Sequence, residues 1–360
     1  GVVQALTDAG HVWDSLYSKA KERAKENGFE APDRQDFFKI IPGLDCYLVD
    51  DEKGIAGNSK NQKLHESDFC VFDLETTGFS PVKNKIIEFG AVKIHEGKII
   101  DRFSSFVNPE VPIPYKITEL TSINDSMVLG AKTIESVLPE FVKFAEDCVL
   151  VGHNVAFDIS FIRANCDRLS IKHDYTTLDT LGLSRMFFPR QGKHTLDAVS
   201  KALKIELGHH HRAVDDAEAT AQIFLKFLQM LEEKGVLELD AVNELGRLTP
   251  ESAKRLRAHH ATVLAKNTLG RVNLYKLISR SHLEFFHRYP LIPKSVLKEH
   301  REGLIIGSGD AQGELYEAVM EDRASEDIAG IVRFYDYLEV QPEENYLPFI
   351  ESERREEIKS

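Results

Sequence analysis

Asp73 and Glu75 stand two positions apart at the end of an almost unbroken apolar run that begins at Phe69. In a strand, side chains at i and i+2 leave the same face, so both carboxylates would point one way. Two like charges on an otherwise apolar strand are costly unless something positive lies between them. A hard divalent cation with oxygen ligands meets that need. A salt-bridged or solvated strand end would carry the same pair, so the short motif leaves both readings open. Asp158 follows His153, Asn154 and Phe157 at the start of a helical stretch, where a carboxylate also suits the helix dipole. His211 and Asp216 flank the start of a long helical stretch. Five positions apart, they share no helical face if both are helical. The spacing works with His211 on the preceding loop and Asp216 in the first turns. Ala213, Ala217, Thr220 and Ala221 are small enough to let that helix approach a sheet and bring Asp216 beside the strand carboxylates. His209 and His210 read as solvated loop residues.

The elements that must hold these groups follow from periodicity. Phe69 to Leu74 reads as a buried strand, ended by a turn at Thr76-Thr77-Gly78. Its C-terminal end is where open α/β sheets place ligand sites. Ile86 to Ile94 and Ile99 to Val107 flank Glu96-Gly97-Lys98, a hairpin signal. Ile134, Val137, Leu138, Phe141 and Phe144 repeat at helical spacing after Thr133, a candidate N-cap. Val149 to Val151 reads as a short buried strand, Ala156 to Leu169 as a helix, Thr177 to Leu178 as a strand and Ala213 to Leu231 as a long helix. Antiparallel strands followed by strand–helix alternation predict an α/β fold, a mixed sheet with helices on both faces.

The chain has 360 residues, enough for two domains. Its 42% hydrophobic and 29% charged residues are ordinary for a globular protein. No apolar run approaches the ~18–20 residues that span a bilayer, and no basic-then-apolar leader opens the sequence. Cys46, Cys70, Cys148 and Cys166 are far apart, which argues against a disulfide framework or thiolate zinc site and fits a reducing cytoplasm. A net charge of −13 argues against a protein that coats nucleic acid by bulk electrostatics. It is compatible with an enzyme that touches a few phosphates through bound cations.

Trp13, Leu16, Tyr17 and Ala20 mark a helix near the N-terminus, and Cys46 to Val49 a strand. Composition suggests five stretches: 1–57, a polar linker at 58–67, a central domain at 68–234, a second linker at 235–258, and an apolar-rich part at 259–360.

In this order the motifs D-L-E-T-T-G (from Asp73), H-N-V-A-F-D (from His153) and H-R-A-V-D-D-A (from His211) resemble the DEDDh exonucleases, over about residues 68 to 232. All five signature positions are filled. The resemblance implies a ribonuclease H-like fold and 3′→5′ hydrolysis with two divalent cations, Mg²⁺ or Mn²⁺. It implies that Asp73 bridges the ions, that Glu75 and Asp216 help hold the one that activates water, and that Asp158 serves the other. It implies that His211 is the general base, with Thr76, Thr77, His153, Asn154 and Phe157 lining the groove for the terminal nucleotides. Phe157 would fit ordinary helix core equally well.

The flanks GVVQALTDAG, LDCYLVDD, HHATVLAKNTLGRVNLYKLISRSHLEFF, PLIPKSVLKEHREGLIIGS and FYDYLEVQP resemble the PHP domain of PolC-type bacterial DNA polymerase III. In that family the exonuclease is inserted in a PHP β/α barrel, so a partial barrel and a fragment of a longer polymerase are expected. The implied partners are DNA, single-stranded or frayed at a 3′ primer end, and the rest of the polymerase and replisome, with no membrane. Of the PHP metal ligands, His260 matches, Asp45 stands where Glu is usual and Asp310 where Cys is usual, so a mainly structural barrel with a vestigial metal site is expected. An RNA-processing enzyme would share the carboxylate set; the PHP-like flanks favour DNA. If His211 is the base, hydrolysis should fall as it protonates, and a flat rate between about pH 5 and pH 8 with chemistry limiting would contradict that role.

Overall fold

The computed structural model describes residues 2–34, 37, 39–52, 54–205, 212–246, 253–254, 256–321, 323, 325–342 and 345. The chain divides into two compact units. One comprises Gly1–Val49, Ala258–Glu314 and Arg333–Ser360, and the other Asp50–Arg257 and Leu315–Val332. In chain order the strands are β1 (Gly43–Val49), β2 (Ala56–Gly57), β3 (Asp68–Thr76), β4 (Ile86–His95), β5 (Lys98–Phe106) and β6 (Cys148–Gly152). They continue as β7 (Thr177–Asp179), β8 (Ala258–Ala265), β9 (Phe286–His287), β10 (Tyr289–Pro293) and β11 (Leu304–Gly307). The first helix, α1 (Val2–Glu26), belongs to the smaller unit, and the larger unit has α2 (Tyr115–Thr121), α3 (Asp125–Val128), α4 (Ile134–Phe144) and α5 (Val155–Arg168). After these come α6 (Thr180–Phe187), α7 (Leu196–Leu203), α8 (Ala213–Glu233) and α9 (Leu239–Leu245).

The larger unit is built on a six-stranded mixed sheet in the order β2-β7-β6-β3-β4-β5. β3 runs parallel to β6 and antiparallel to β4, and β6 runs parallel to β7. The expected strands and helices are all present, within a residue or two of the predicted bounds. The β4–β5 turn places Glu96 (φ 47°) and Gly97 (φ 73°) in the left-handed region, which suits a two-residue hairpin loop.

β3 shows how the sequence sets the site. Its side chains alternate between two cores. Phe69 and Val71 join Ala221, Ile223, Phe224 and Phe227 of α8 in one, and the Phe69 and Phe224 rings lie edge to face at 4.8 Å. Cys70, Phe72 and Leu74 join Val137, Leu138 and Phe141 of α4 and Ile159, Phe161 and Ile162 of α5 in the other. Burying each of these large side chains is worth ~1.5–3 kcal/mol. Asp73 and Glu75 continue the Phe69–Val71 row, so pleat parity directs both towards α8.

The start of α8 comes unusually close to the sheet. Gly90 of β4 pairs with Asp73, and a Cβ at Gly90 would sit 2.0 Å from the Ala213 carbonyl carbon and 2.1 Å from the Val214 nitrogen. Ala213, Ala217, Thr220 and Ala221 are buried along the approach, as their size predicts.

Described residues of both stretches that read as linkers, 58–67 and 235–246, pack within this unit. Leu64 is buried, its N–H donates to Leu237 O at 2.8 Å, and Leu239 N–H donates to Gln62 O at 3.0 Å. In the second stretch, Leu239 and Val242 of α9 are buried. Polar composition concealed these segments because backbone bonds and a few apolar anchors hold them.

The smaller unit contains a five-stranded sheet in the order β11-β8-β1-β10-β9. β1 lies antiparallel to β8 and parallel to β10. In α1, Trp13 and Tyr17 stack at 5.2 Å, and Phe37 meets Trp13 edge-on at 5.6 Å.

Replacing Gly90 by Ala should lower stability by about 1–3 kcal/mol, the usual range for overpacking, because the clash is with backbone. Urea unfolding checks this, and an unchanged midpoint would contradict the close approach.

Candidate active site

β3 and the first turn of α8 together place Asp73, Glu75 and Asp216 so that one carboxylate oxygen from each lies within 4.8 Å of the others. Asp158, in the first turn of α5, is 4% exposed. The sequence reading therefore placed these four carboxylates on the right elements.

The electrostatics of the group are adverse without a cation. Burial pushes the Asp73 carboxyl well above its usual range, and the charges of Asp158, Glu75, Asp216 and Glu88 push it further. Glu75 is raised to about 7 by burial and then by Asp216 and Glu88. Asp158 is raised to about 8 by burial, against opposing backbone hydrogen bonds at Leu74 and at Asp158 itself. Converging hard oxygen donors of this kind fit a divalent metal ion. Among the described residues this is the one group of three potential ligands whose donor atoms converge.

His211 lies outside the described residues. Arg212, which follows it, is the N-cap of α8 in extended conformation, and Asp216 lies in the first turn of that helix.

The other sequence candidates sit around this centre in varied roles. Thr76 Oγ1 donates to Gly78 O at 2.7 Å, and Thr77 Oγ1 accepts from Lys85 N–H at 2.9 Å, so both hydroxyls close the turn after β3. The two ring nitrogens of His153 are engaged with Thr180 Oγ1 (3.0 Å) and with His194 O (2.7 Å). Asn154 adopts a left-handed conformation (φ 73°) at the start of α5. The Phe157 ring packs against Phe161 at 5.2 Å and edge to face with Phe79 at 6.3 Å. Phe79 itself is 78% exposed.

Two supporting carboxylates were missed. Asp179 accepts from the N–H groups of Asn154 (2.8 Å), Val155 (3.4 Å) and Leu181 (3.0 Å), tying the start of α5 to the start of α6. Glu88 lies opposite Glu75 across the β3–β4 pair and is fully buried. It takes Arg212 Nη2 at 2.7 Å and Nε at 3.0 Å on one oxygen, and the Ala213 N–H at 3.1 Å on the other. A lone carboxylate in the apolar run Ile86-Ile87-Glu88-Phe89 was the available signal for it.

In the smaller unit, His260 Nδ1 bonds Asp310 at 3.0 Å, and Thr262 Oγ1 donates to Asp45 at 3.3 Å. Asp45, His260 and Asp310 do not form a converging group of three ligand atoms.

Residues 70–224 match the RNase T exonuclease family model. That span runs from β3 into α8 and includes Asp73, Glu75, Asp158, His211 and Asp216. Similarity extends well beyond it. The chain is 44% identical over 341 residues to the PolC-type DNA polymerase III of Caldanaerobacter subterraneus subsp. tengcongensis, covering 95% of this chain and 24% of that relative. It is 45% identical over 342 residues to the PolC-type DNA polymerase III of Clostridium perfringens, covering 95% of this chain and 23% of that one. The chain thus spans about a quarter of the length of the curated relatives it matches. Among solved structures, Exonuclease X in complex with 5′ overhanging duplex DNA is similar at 24% identity and a TM-score of 0.40, covering 49% of this chain and 99% of that one. No helix of the described residues is long and apolar enough to cross a membrane.

The raised carboxylates set a pH dependence. They hold protons in the folded chain that an unfolded chain releases near pH 4. Their contribution to stability is therefore full below about pH 4 and is lost as pH rises through about 7 (Glu75) and about 8 (Asp158). In EDTA, the melting temperature should fall from pH 6 to about pH 8, less steeply in Asp158→Asn, and Mn²⁺ should reverse the fall. Identical pH profiles for the two proteins would contradict the assignment.

Proposed function

We propose that this chain is the exonuclease-bearing part of a PolC-type replicative DNA polymerase, removing nucleotides from DNA 3′ ends to proofread synthesis. The observation that carries this reading is the convergence of Asp73, Glu75 and Asp216, with Asp158 buried beside Asp73. Similarity at 44% identity along 95% of the chain, rather than over the nuclease span alone, supports the polymerase context and hence DNA.

Asp73, Glu75 and Asp216 would hold one divalent cation, and Asp73 with Asp158 a second, either Mg²⁺ or Mn²⁺. Bound there, such ions lower the pKa of water towards ~7 and stabilise charge on the attacking and leaving oxygens of an in-line displacement. His211 accepts the proton of the attacking water, a role suited to an imidazole that titrates near neutrality. Asp179 and the left-handed turn at Asn154 fix the start of α5, which orients Asp158. Thr76 and Thr77 shape the turn beside the 3′ end. Phe157, with Phe79 beside it, offers a stacking face worth ~1–3 kcal/mol per base. His153, with both ring nitrogens taken by Thr180 and His194, serves the groove as a wall.

The smaller unit is read as a PHP-type scaffold. Its sheet is drawn from β1 before the nuclease span and from β8 to β11 after it. DNA and the remainder of the polymerase are the partners, in the cytoplasm.

A 5′-labelled single-stranded DNA incubated with and without Mg²⁺ or Mn²⁺ tests this reading. Metal-dependent shortening from the 3′ end is expected. Asp73→Ala should abolish it, and His211→Ala should slow it about 10²–10⁴-fold. A well-folded wild type that binds metal and degrades nothing would overturn the reading, and faster hydrolysis of RNA than of DNA would overturn the substrate.

A further inference from the structure

We propose that Glu88 and Arg212 form a clamp that positions Asp216, and through it the metal-binding centre, so that both are positioning residues for the reaction proposed above, on which this inference rests. Glu88 has no exposed surface, and a carboxylate so placed needs several donors. It has them in one place. Arg212 Nη2 and Nε donate to one oxygen, and the Ala213 N–H, with a longer 3.3 Å contact from Arg212 Nε, to the other, so all these donors come from the N-terminal end of α8. The Arg212 guanidinium also lies over the Phe106 ring at 4.9 Å, fixing it from a second side.

Glu88 and Gly90 are i and i+2 on β4, so they act on the same face. Gly90 lets the Ala213 backbone press against the strand, and Glu88 bonds that same residue. The first residue of α8 is thus fixed by contact from one strand position and by hydrogen bonds from the other. Asp216 lies three residues further, within the first turn. Its carboxylate must meet those of Asp73 and Glu75 on the neighbouring strand, and a shift of about 1 Å in such geometry commonly lowers rate about 10²-fold.

The clamp has an electrostatic side as well. Glu88 stands opposite Glu75 across the strand pair. The Arg212 guanidinium offsets part of the Glu88 charge that raises Asp73 and Glu75, and donors occupy both Glu88 oxygens.

The test uses the whole chain, with Mn²⁺ affinity by isothermal titration calorimetry beside steady-state hydrolysis of 5′-labelled DNA. The variants are Glu88→Gln, Arg212→Met, Arg212→Lys and the Glu88→Gln/Arg212→Met double, each first compared with wild type by circular dichroism. Glu88→Gln and Arg212→Met should each weaken Mn²⁺ binding about tenfold and lower kcat about 10²-fold, with KM for DNA within about twofold of wild type. The double variant should be no worse than the poorer single, because both remove one interaction. Arg212→Lys keeps the charge without the fork and should recover only part of the loss. Should Arg212→Met fail to fold, Glu88→Gln and Arg212→Lys decide the matter. Folded variants with wild-type Mn²⁺ affinity and kcat would overturn the clamp. A wild type that binds Mn²⁺ without cutting DNA would overturn the proposed function alone, leaving the clamp to be judged on affinity. A wild type that binds no Mn²⁺ would overturn both.

Discussion

Carboxylates that repel one another must be held together here by a scaffold that gains nothing directly from doing so. Burial raises the proton affinity of Asp73, Glu75 and Asp158, and their mutual charges, with that of Asp216 acting on Asp73 and Glu75, raise it further. That arrangement is unfavourable until a divalent cation or protons occupy it. The stabilising terms therefore lie beside the site, in the two apolar cores that grip β3 and in the backbone approach of α8 to β4.

The division of labour along β3 illustrates this. Phe69 and Val71 anchor the strand to α8, while Cys70, Phe72 and Leu74 anchor it to α4 and α5. With both faces packed, the register of β3 is fixed, and a one-residue slip would send Asp73 and Glu75 to the wrong face. α8 is committed in the same way. Phe224 and Phe227 bury its middle while Ala213 and Ala217 bring its start onto the sheet. The strand carboxylates and the helix carboxylate meet because two independently packed elements are both prevented from sliding.

Much of this was legible in the sequence. The apolar run ending in Asp73 and Glu75 gave the strand and its shared face, and the small residues of α8 gave its close approach. The motif order gave Asp158. What was hidden depended on partners distant in sequence. Glu88 is separated from Arg212 by 124 positions, so its place in an apolar run signals a buried carboxylate without saying which residue partners it. Asp179 drew no reading of its own from the sequence, yet it ties together two helix starts. The stretches at 58–67 and 235–258 read as linkers because their composition is polar, yet Leu64, Leu237 and Leu239 are tied in by backbone hydrogen bonds, which composition does not report. His153 suited a substrate groove by motif, and only the fold revealed that Thr180 and His194 engage its ring.

The central claim is that the acidic cluster exists to hold divalent cations in one place. Crystals of the chain grown with Mn²⁺ and measured at a wavelength where manganese scatters anomalously test it directly. The account expects an anomalous peak at coordination distance, about 2.0–2.6 Å, from carboxylate oxygens of Asp73, Glu75 and Asp216. Density for the protein with no peak there, or with a peak only elsewhere, would contradict it.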